Sequence, residues 1–250
     1  TTISVASPGT DTTGPDGKTL KVYRNSRKAD VVNECEQSLR RLQTDVIDLY
    51  QVHFDDPSTP VAETACALAD LRREGKIREY GIGHLPAGRV AEYFALRPEA
   101  IRPASLLLEL SLVAPAGQRE LLPHALAAGA AGVAFSPTGR GLLTGAIRAE
   151  TAFQEGDIRS IDPLFRVGRR RAALALKDRL AAMGGELGLT PAQLAISWVL
   201  AQPGIAAVLT GPSSPSHLRE NVAAATVKLP AAMLDCLKHL GAETEQAANR

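Results

Sequence analysis

The sequence predicts a parallel α/β barrel, and three observations predict it. Apolar runs of strand length alternate with segments of helical periodicity across short connections, the order that parallel strands with helical crossovers require. The runs lack sustained polar alternation, as strands buried on both faces do. One of them, Asp45-Val46-Ile47-Asp48-Leu49-Tyr50-Gln51-Val52-His53, stops at a lone histidine ahead of the breaker Phe54-Asp55-Asp56-Pro57. A barrel delivers its reactive groups from the C-terminal tips of its strands in this way.

In chain order, Ile3-Ser4-Val5-Ala6-Ser7 reads as a short buried strand ended by Pro8-Gly9, and Thr10 to Tyr23 as a polar loop rich in Gly, Thr and Asp. Ser26 is placed to cap a helix in which Val31, Val32, Cys35, Leu39 and Leu42 recur at helical spacing. After the histidine strand, Val61 to Arg73 is a helix with Ala65, Leu68 and Leu71 inward, ended by Gly75. Tyr80-Gly81-Ile82-Gly83 is a strand followed by His84-Leu85-Pro86, and a helix runs from about Gly88 to Leu96. Ala104 to Leu110 is a strand, Arg119 to Ala128 a helix, and Gly132 to Phe135 a strand ending at Ser136-Pro137. The connection from Thr138 to Arg166 has the length usual for a lid or mobile loop. Helices follow over Arg169–Leu187 and Ala192–Ala201, then a strand to Leu209 and the turn Thr210 to Ser214. Pro215 suits the first position of a helix. A last helix, Leu234–Leu240, lies outside the barrel pattern. No composition break or long linker divides the chain, so residues 1–250 read as a single domain.

Composition narrows the function. A net charge of +1 gives no electrostatic case for nucleic acid or an acidic membrane, and 4% aromatic residues provide no stacking platform for single strands. No apolar run is long enough to span a bilayer and no signal peptide opens the sequence. Cys35, Cys66 and Cys236 match no metal spacing and read as buried free thiols of a reducing, cytoplasmic compartment. The five histidines show no paired ligand spacing, so no metal site is expected.

Several runs together resemble the aldo-keto reductase family: Ser38-Leu39-Arg40-Arg41-Leu42, Asp48 to His53, Gly75-Lys76-Ile77-Arg78, Ser136-Pro137-Thr138-Gly139-Arg140-Gly141-Leu142-Leu143-Thr144-Gly145, Ala192 to Leu200, and Gly211 to Asn221. The resemblance covers Ile3 to about Leu240. It implies a (β/α)8 TIM barrel with NADPH across its C-terminal mouth and reduction of a small-molecule carbonyl by hydride transfer. It begins at the family's third barrel strand, and six barrel strands are counted. The expectation is a barrel truncated or rearranged at its N-terminus, with open edges that a second copy in a homo-oligomer or a rearranged N-terminus covers. The family's catalytic aspartate and tyrosine belong to the part before that strand.

Carried residue by residue, the resemblance makes His53 the family's histidine, able to orient a substrate oxygen or transfer a proton. Read locally, His53 equally caps a strand by hydrogen bonding. Pro8 stands where the family has its lysine, Gly83-His84 where it has Ser-Asn, and Leu107 where it has glutamine. His84 is then either a new acid or base beside His53 or an exposed loop residue. Phe135 offers a face for the nicotinamide. Ser136, Thr138, Gly139, Arg140 and Gly141 match the pyrophosphate loop. Ser213, Ser214, His217, Arg219, Glu220 and Asn221 match the turn and helix start that take the adenosine phosphate. A capped helix and a Gly-rich loop also simply end a barrel unit. The leading expectation is NADPH-dependent reduction at a degenerate site, slow with ordinary aldehydes. The alternatives are a lyase, dehydratase or isomerase using His53 and His84, or a non-catalytic subunit.

Overall fold

The computed structural model describes residues 2–3, 10–13, 19–22, 24–154 and 156–248. The strands are β1 (Thr2–Ile3), β2 (Thr10–Thr13), β3 (Thr19–Val22), β4 (Ile47–Val52), β5 (Ile77–Gly83), β6 (Ser105–Glu109), β7 (Ala131–Phe135) and β8 (Ile205–Leu209). The helices are α1 (Lys28–Leu42), α2 (Val61–Arg73), α3 (Ala87–Ala95), α4 (Ala116–Glu120), α5 (Leu122–Ala127), α6 (Val167–Gly185), α7 (Pro191–Leu200), α8 (Pro215–Ala223) and α9 (Ala231–Ala248). The six-stranded sheet has the order β1-β4-β5-β6-β7-β8. Two compact units divide the chain: Thr1–Leu108 with Glu120–Gly132, and Glu109–Arg119 with Val133–Arg250.

In the first unit β1, β4, β5 and β6 are parallel, with Ile3 beside Val52, Gln51 beside Gly81, and Gly81 beside Ser105. Ala131 N–H donates to Ala104 O at 3.0 Å, bringing in the start of β7. Tyr50, Tyr80, Ile82 and Leu106 are buried, as strands covered by helices require. The helix expected over Val61–Arg73 forms there, with Ala65, Leu68 and Leu71 buried. It stops because Gly75, at φ +76°, lets Gly75 N–H reach Arg72 O and Lys76 N–H reach Leu71 O. That pair of bonds satisfies carbonyls the helix end leaves open, and only glycine adopts this φ without steric cost.

Several expectations change. The segment read as a polar loop pairs Thr10–Thr13 with Thr19–Val22 as an antiparallel hairpin. Its β-branched threonines favour strand. The strand read at residues 3–7 lies, beyond Ile3, outside the described residues, as does Pro8. Ser26 does not cap α1: its N–H donates to Asp56 at 2.9 Å and its carbonyl accepts from Thr64 Oγ1 at 2.8 Å. The helix expected over Arg119–Ala128 is broken at Leu121, because Pro123 lacks an N–H and crowds the carbonyl four residues back. Of the cysteines only Cys35 is buried; Cys66 and Cys236 sit on outward faces of α2 and α9.

Asp56 fixes the segment that follows β4. It is buried, and its carboxylate accepts from Ser26 N, Ser58 N, Ser58 Oγ (2.6 Å) and Thr59 Oγ1 (2.6 Å). Burial pushes this carboxyl upward, but those hydrogen bonds outweigh it and hold the pKa below 3.8. A group with a lowered folded pKa stabilises above its unfolded value and loses that contribution as pH falls through the folded one. We expect Asp56→Ala to cost about 2–3 kcal/mol at neutral pH. The difference from wild type should shrink below pH 3.8. Urea unfolding at several pH values measures both, and an unchanged gap in acid would contradict this account.

In the second unit Leu110 N–H donates to Phe135 O at 3.3 Å. Leu110, Leu112, Leu143, Leu180 and Trp198 pack in one apolar cluster with Leu237 of α9. Thr190 starts α7 with reciprocal bonds: Gln193 N–H donates to Thr190 Oγ1 at 3.2 Å and Thr190 N–H to Gln193 Oε1 at 3.0 Å. The connection expected as a lid or mobile loop is tied down. Arg170 donates to the carbonyls of Arg148 and Thr151, and Phe153 lies under the guanidiniums of Arg159 and Arg170. The face of β8 and α8 leaves Leu209 49% and Val222 62% exposed. No helix among the described residues is long and apolar enough to cross a membrane.

Candidate active site

In the first unit β4 and β5 are adjacent and parallel, so the residues that follow their C-terminal ends are neighbours. His53 and His84 stand there with ring centroids 4.7 Å apart, edge to face. Phe54 touches both, at 4.5 Å and 5.1 Å, and Arg24 lies over Phe54 at 4.6 Å. His53 is half-buried, and burial holds its pKa below 6.5, so the imidazole is neutral at neutral pH. His84 is exposed at φ +52°. The chain beyond His53 is clamped by Arg89, which pairs with Asp55 at 2.8 Å and donates to Asp56 O and Thr59 O. The structure thus brings together the two histidines that the sequence singled out.

The second unit contains a cleft of about 640 Å³. Phe135, Ser136, Thr138, Arg140 and Gly141 line one side, and Ser213, His217, Glu220 and Asn221 line the other. Gly139, Ser214 and Arg219 are not in its lining. Gly139 is buried, where a Cβ would come within 2.6 Å of Val113 Cγ2. Ser214 caps α8, accepting from His217 N at 3.2 Å. Arg219 is exposed on α8. Glu220 accepts from Thr190 Oγ1 at 2.5 Å. Sequence reading did not assign Arg159, Ile147 and Ala192 to the site, though they also line the cleft; Arg159 and Ile147 come from segments with no motif of their own.

The turn at residues 136–141 is unusual. Ser136, Gly139, Arg140 and Gly141 all have φ between +53° and +96°. Gly139 N–H is spent on Ser136 O at 2.9 Å and Leu142 N–H on Gly139 O at 3.2 Å, so the N–H groups this turn can offer an anion are those of Arg140 and Gly141. For a non-glycine residue this conformation costs roughly 1–2 kcal/mol. The cleft's arginines are already neutralised. Arg159 meets Asp157 at 2.5 Å, and that bond draws the Asp157 carboxyl down to about 2. Arg140 Nη1 contacts Asp162, and it lies 3.0 Å from Glu109 Oε1, too bent for a hydrogen bond but close enough for an ion pair. Burial pushes the Glu109 carboxyl up, Arg140 opposes this and Asp162 adds to it.

The fit to a dinucleotide is uneven. The hydroxyls, the start of α8 and the left-handed turn suit phosphate. Gly83 and Leu107 stand at two of the positions that would hold a carboxamide, and Leu107 is buried against Gly83. A Cβ at position 83 would lie 2.8 Å from Leu107 Cβ, so the close approach of the two strands here needs glycine at 83.

Comparison with known proteins gives a consistent result. A model of the Aldo/keto reductase family matches residues 19–241. Aldo-keto reductase YhdN of Bacillus subtilis (strain 168) is 34% identical over 208 residues, 82% of this chain and 61% of that protein. The NADH-specific methylglyoxal reductase of Escherichia coli (strain K12) is 29% identical over 90% of this chain and 68% of its own length. The structure of a glycerol dehydrogenase from Gluconobacter oxydans superposes with a TM-score of 0.82 at 28% identity, covering 97% of this chain and 71% of that one. This chain therefore spans 61% of the length of YhdN. The fold is the α/β barrel of these proteins.

Proposed function

This chain belongs to the aldo/keto reductase family, and on that premise we propose that it is an oxidoreductase that reduces a small-molecule carbonyl with NAD(P)H. The observation that carries this reading is the make-up of the cleft. An aromatic side chain, residues of a left-handed turn, and Ser213 and His217 at the start of a helix line one cleft. These are the contacts that a ring, a pyrophosphate and a terminal phosphate need.

A bound nicotinamide supplies hydride to the carbonyl carbon. The chain's own residues manage the oxygen. Neutral His53 donates one N–H to the carbonyl oxygen and polarises it. His84, exposed beside it, carries the proton between solvent and that oxygen. Among the described residues no tyrosine serves instead: Tyr50, Tyr80 and Tyr93 are buried, and burial raises all three phenols, that of Tyr93 to about 12. In the cleft, Arg140 and Gly141 would contribute backbone N–H groups to a bound pyrophosphate, and Ser213 and His217, joined at 3.1 Å, would take a phosphate at the helix start. The family resemblance implies NADPH, but Arg219, the basic side chain matched to its extra phosphate, does not line the cleft, whereas Glu220 does, so either nicotinamide dinucleotide suits the cleft. A lyase, dehydratase or isomerase, or a non-catalytic subunit, finds no support among relatives named as reductases and a dehydrogenase.

Titration with NADH and with NADPH, followed by nucleotide fluorescence, tests the reading. Saturable binding competed by inorganic pyrophosphate is expected, with slow NAD(P)H consumption when aldehydes and ketones are added. Binding of neither nucleotide would remove it.

A further inference from the structure

Arg140 presents a contradiction. It lies between two glycines, at φ +53°, where glycine would be the less strained residue. Strained backbone of this kind persists only where the surroundings over-determine it. The surroundings here are two carboxylates from two other segments. Glu109 ends β6, and Asp162 precedes the short 3₁₀ turn Pro163–Phe165. Both carboxylates converge on one nitrogen of Arg140, on the side of a second cavity of about 350 Å³ that Arg140 also lines.

We propose that Glu109 and Asp162 are positioning residues for the phosphate turn, acting through Arg140. Arg140 is kept for its side chain, which draws its charge away from the cleft and locks the turn so that the neighbouring N–H groups face inward. The proposal rests on the reading of the cleft as a nucleotide site. Two further contacts fit a device built to fix this turn. Asp162 is doubly engaged, since its Oδ1 accepts from Leu164 N at 2.8 Å while Oδ2 meets Arg140. Leu164 packs in one apolar cluster with Leu142, immediately after the turn. Asp162 therefore ties the guanidinium to a segment that is itself anchored in apolar packing. A turn held this way presents its donors to an anion without reorganising when the anion arrives.

The test uses the full chain and the variants Arg140→Gly, Asp162→Asn and their combination. Glycine removes the strain and the tie together, so a role confined to backbone conformation would leave Arg140→Gly neutral or improved. Asparagine keeps the acceptor for Leu164 N and loses only the charge. Each single variant is expected to raise the dissociation constant for NAD(P)H about tenfold, the order found for directly bonded charged groups. The double variant should be no weaker than either single one. Hydrogen exchange at amides 139–143 should quicken in all three without ligand, and Arg140→Lys should recover part of the affinity. Undiminished affinity and unchanged exchange in Arg140→Gly would overturn the proposal, as would additive losses in the double variant. If wild type binds neither nucleotide, the reading of the cleft fails. The exchange measurement then decides alone: faster exchange in Arg140→Gly supports the tie, and unchanged exchange refutes it.

Discussion

Carbonyl reduction is expected to slow about 10²–10³-fold in His53→Ala, the range in which positioned proton donors act, with nucleotide affinity unchanged. The two effects separate because the cleft is lined without His53. Burial keeps His53 neutral, so the rate should be flat through neutral pH and change only below 6.5, where the imidazole charges. The same limb should vanish in the variant. A turnover number within twofold of wild type would place the histidine away from the reacting carbonyl. A wild-type limb centred above 6.5 would contradict the burial that sets its pKa.

Trp198→Ala should destabilise the protein by about 3–5 kcal/mol, the range for emptying a large aromatic site. Trp198 is 2% exposed in the cluster that joins α7 to Leu110, Leu180 and Leu237. A native protein has only about 5–15 kcal/mol in hand, so the variant should be visibly fragile in urea. Leu218→Ala, at a side chain 49% exposed on α8, serves as the comparison. It should move stability by no more than about 0.5 kcal/mol. Similar losses in the two variants would mean that the cluster does not carry the stability assigned to it.

What the residues disclosed in advance follows from how local each cause is. The helix of Val61–Arg73 was legible because its inward leucines and closing Gly75 lie within one stretch of chain. The hairpin at Thr10–Val22 was not, since its polar threonines carry no apolar signal. The last helix runs over Ala231–Ala248, well beyond the expected Leu234–Leu240, because alanines and charged residues extend it without apolar periodicity. At the site, His53 and His84 were legible from their places at the ends of two strands. The tie of Arg140 to Glu109 and Asp162 was not, because its members come from separate segments and no spacing encodes their meeting. The same holds for the packing of Leu107 on Gly83, which sit on different strands.

That last contact also limits what position 83 can become. The atom that a Cβ there would meet at 2.8 Å is the Cβ of residue 107, which every residue but glycine carries, so no polar exchange at 107 alone makes room for a side chain at 83. Any lineage, natural or in the laboratory, that brings a side chain to position 83 must shift β5 against β6, its register partner there, or set glycine at 107.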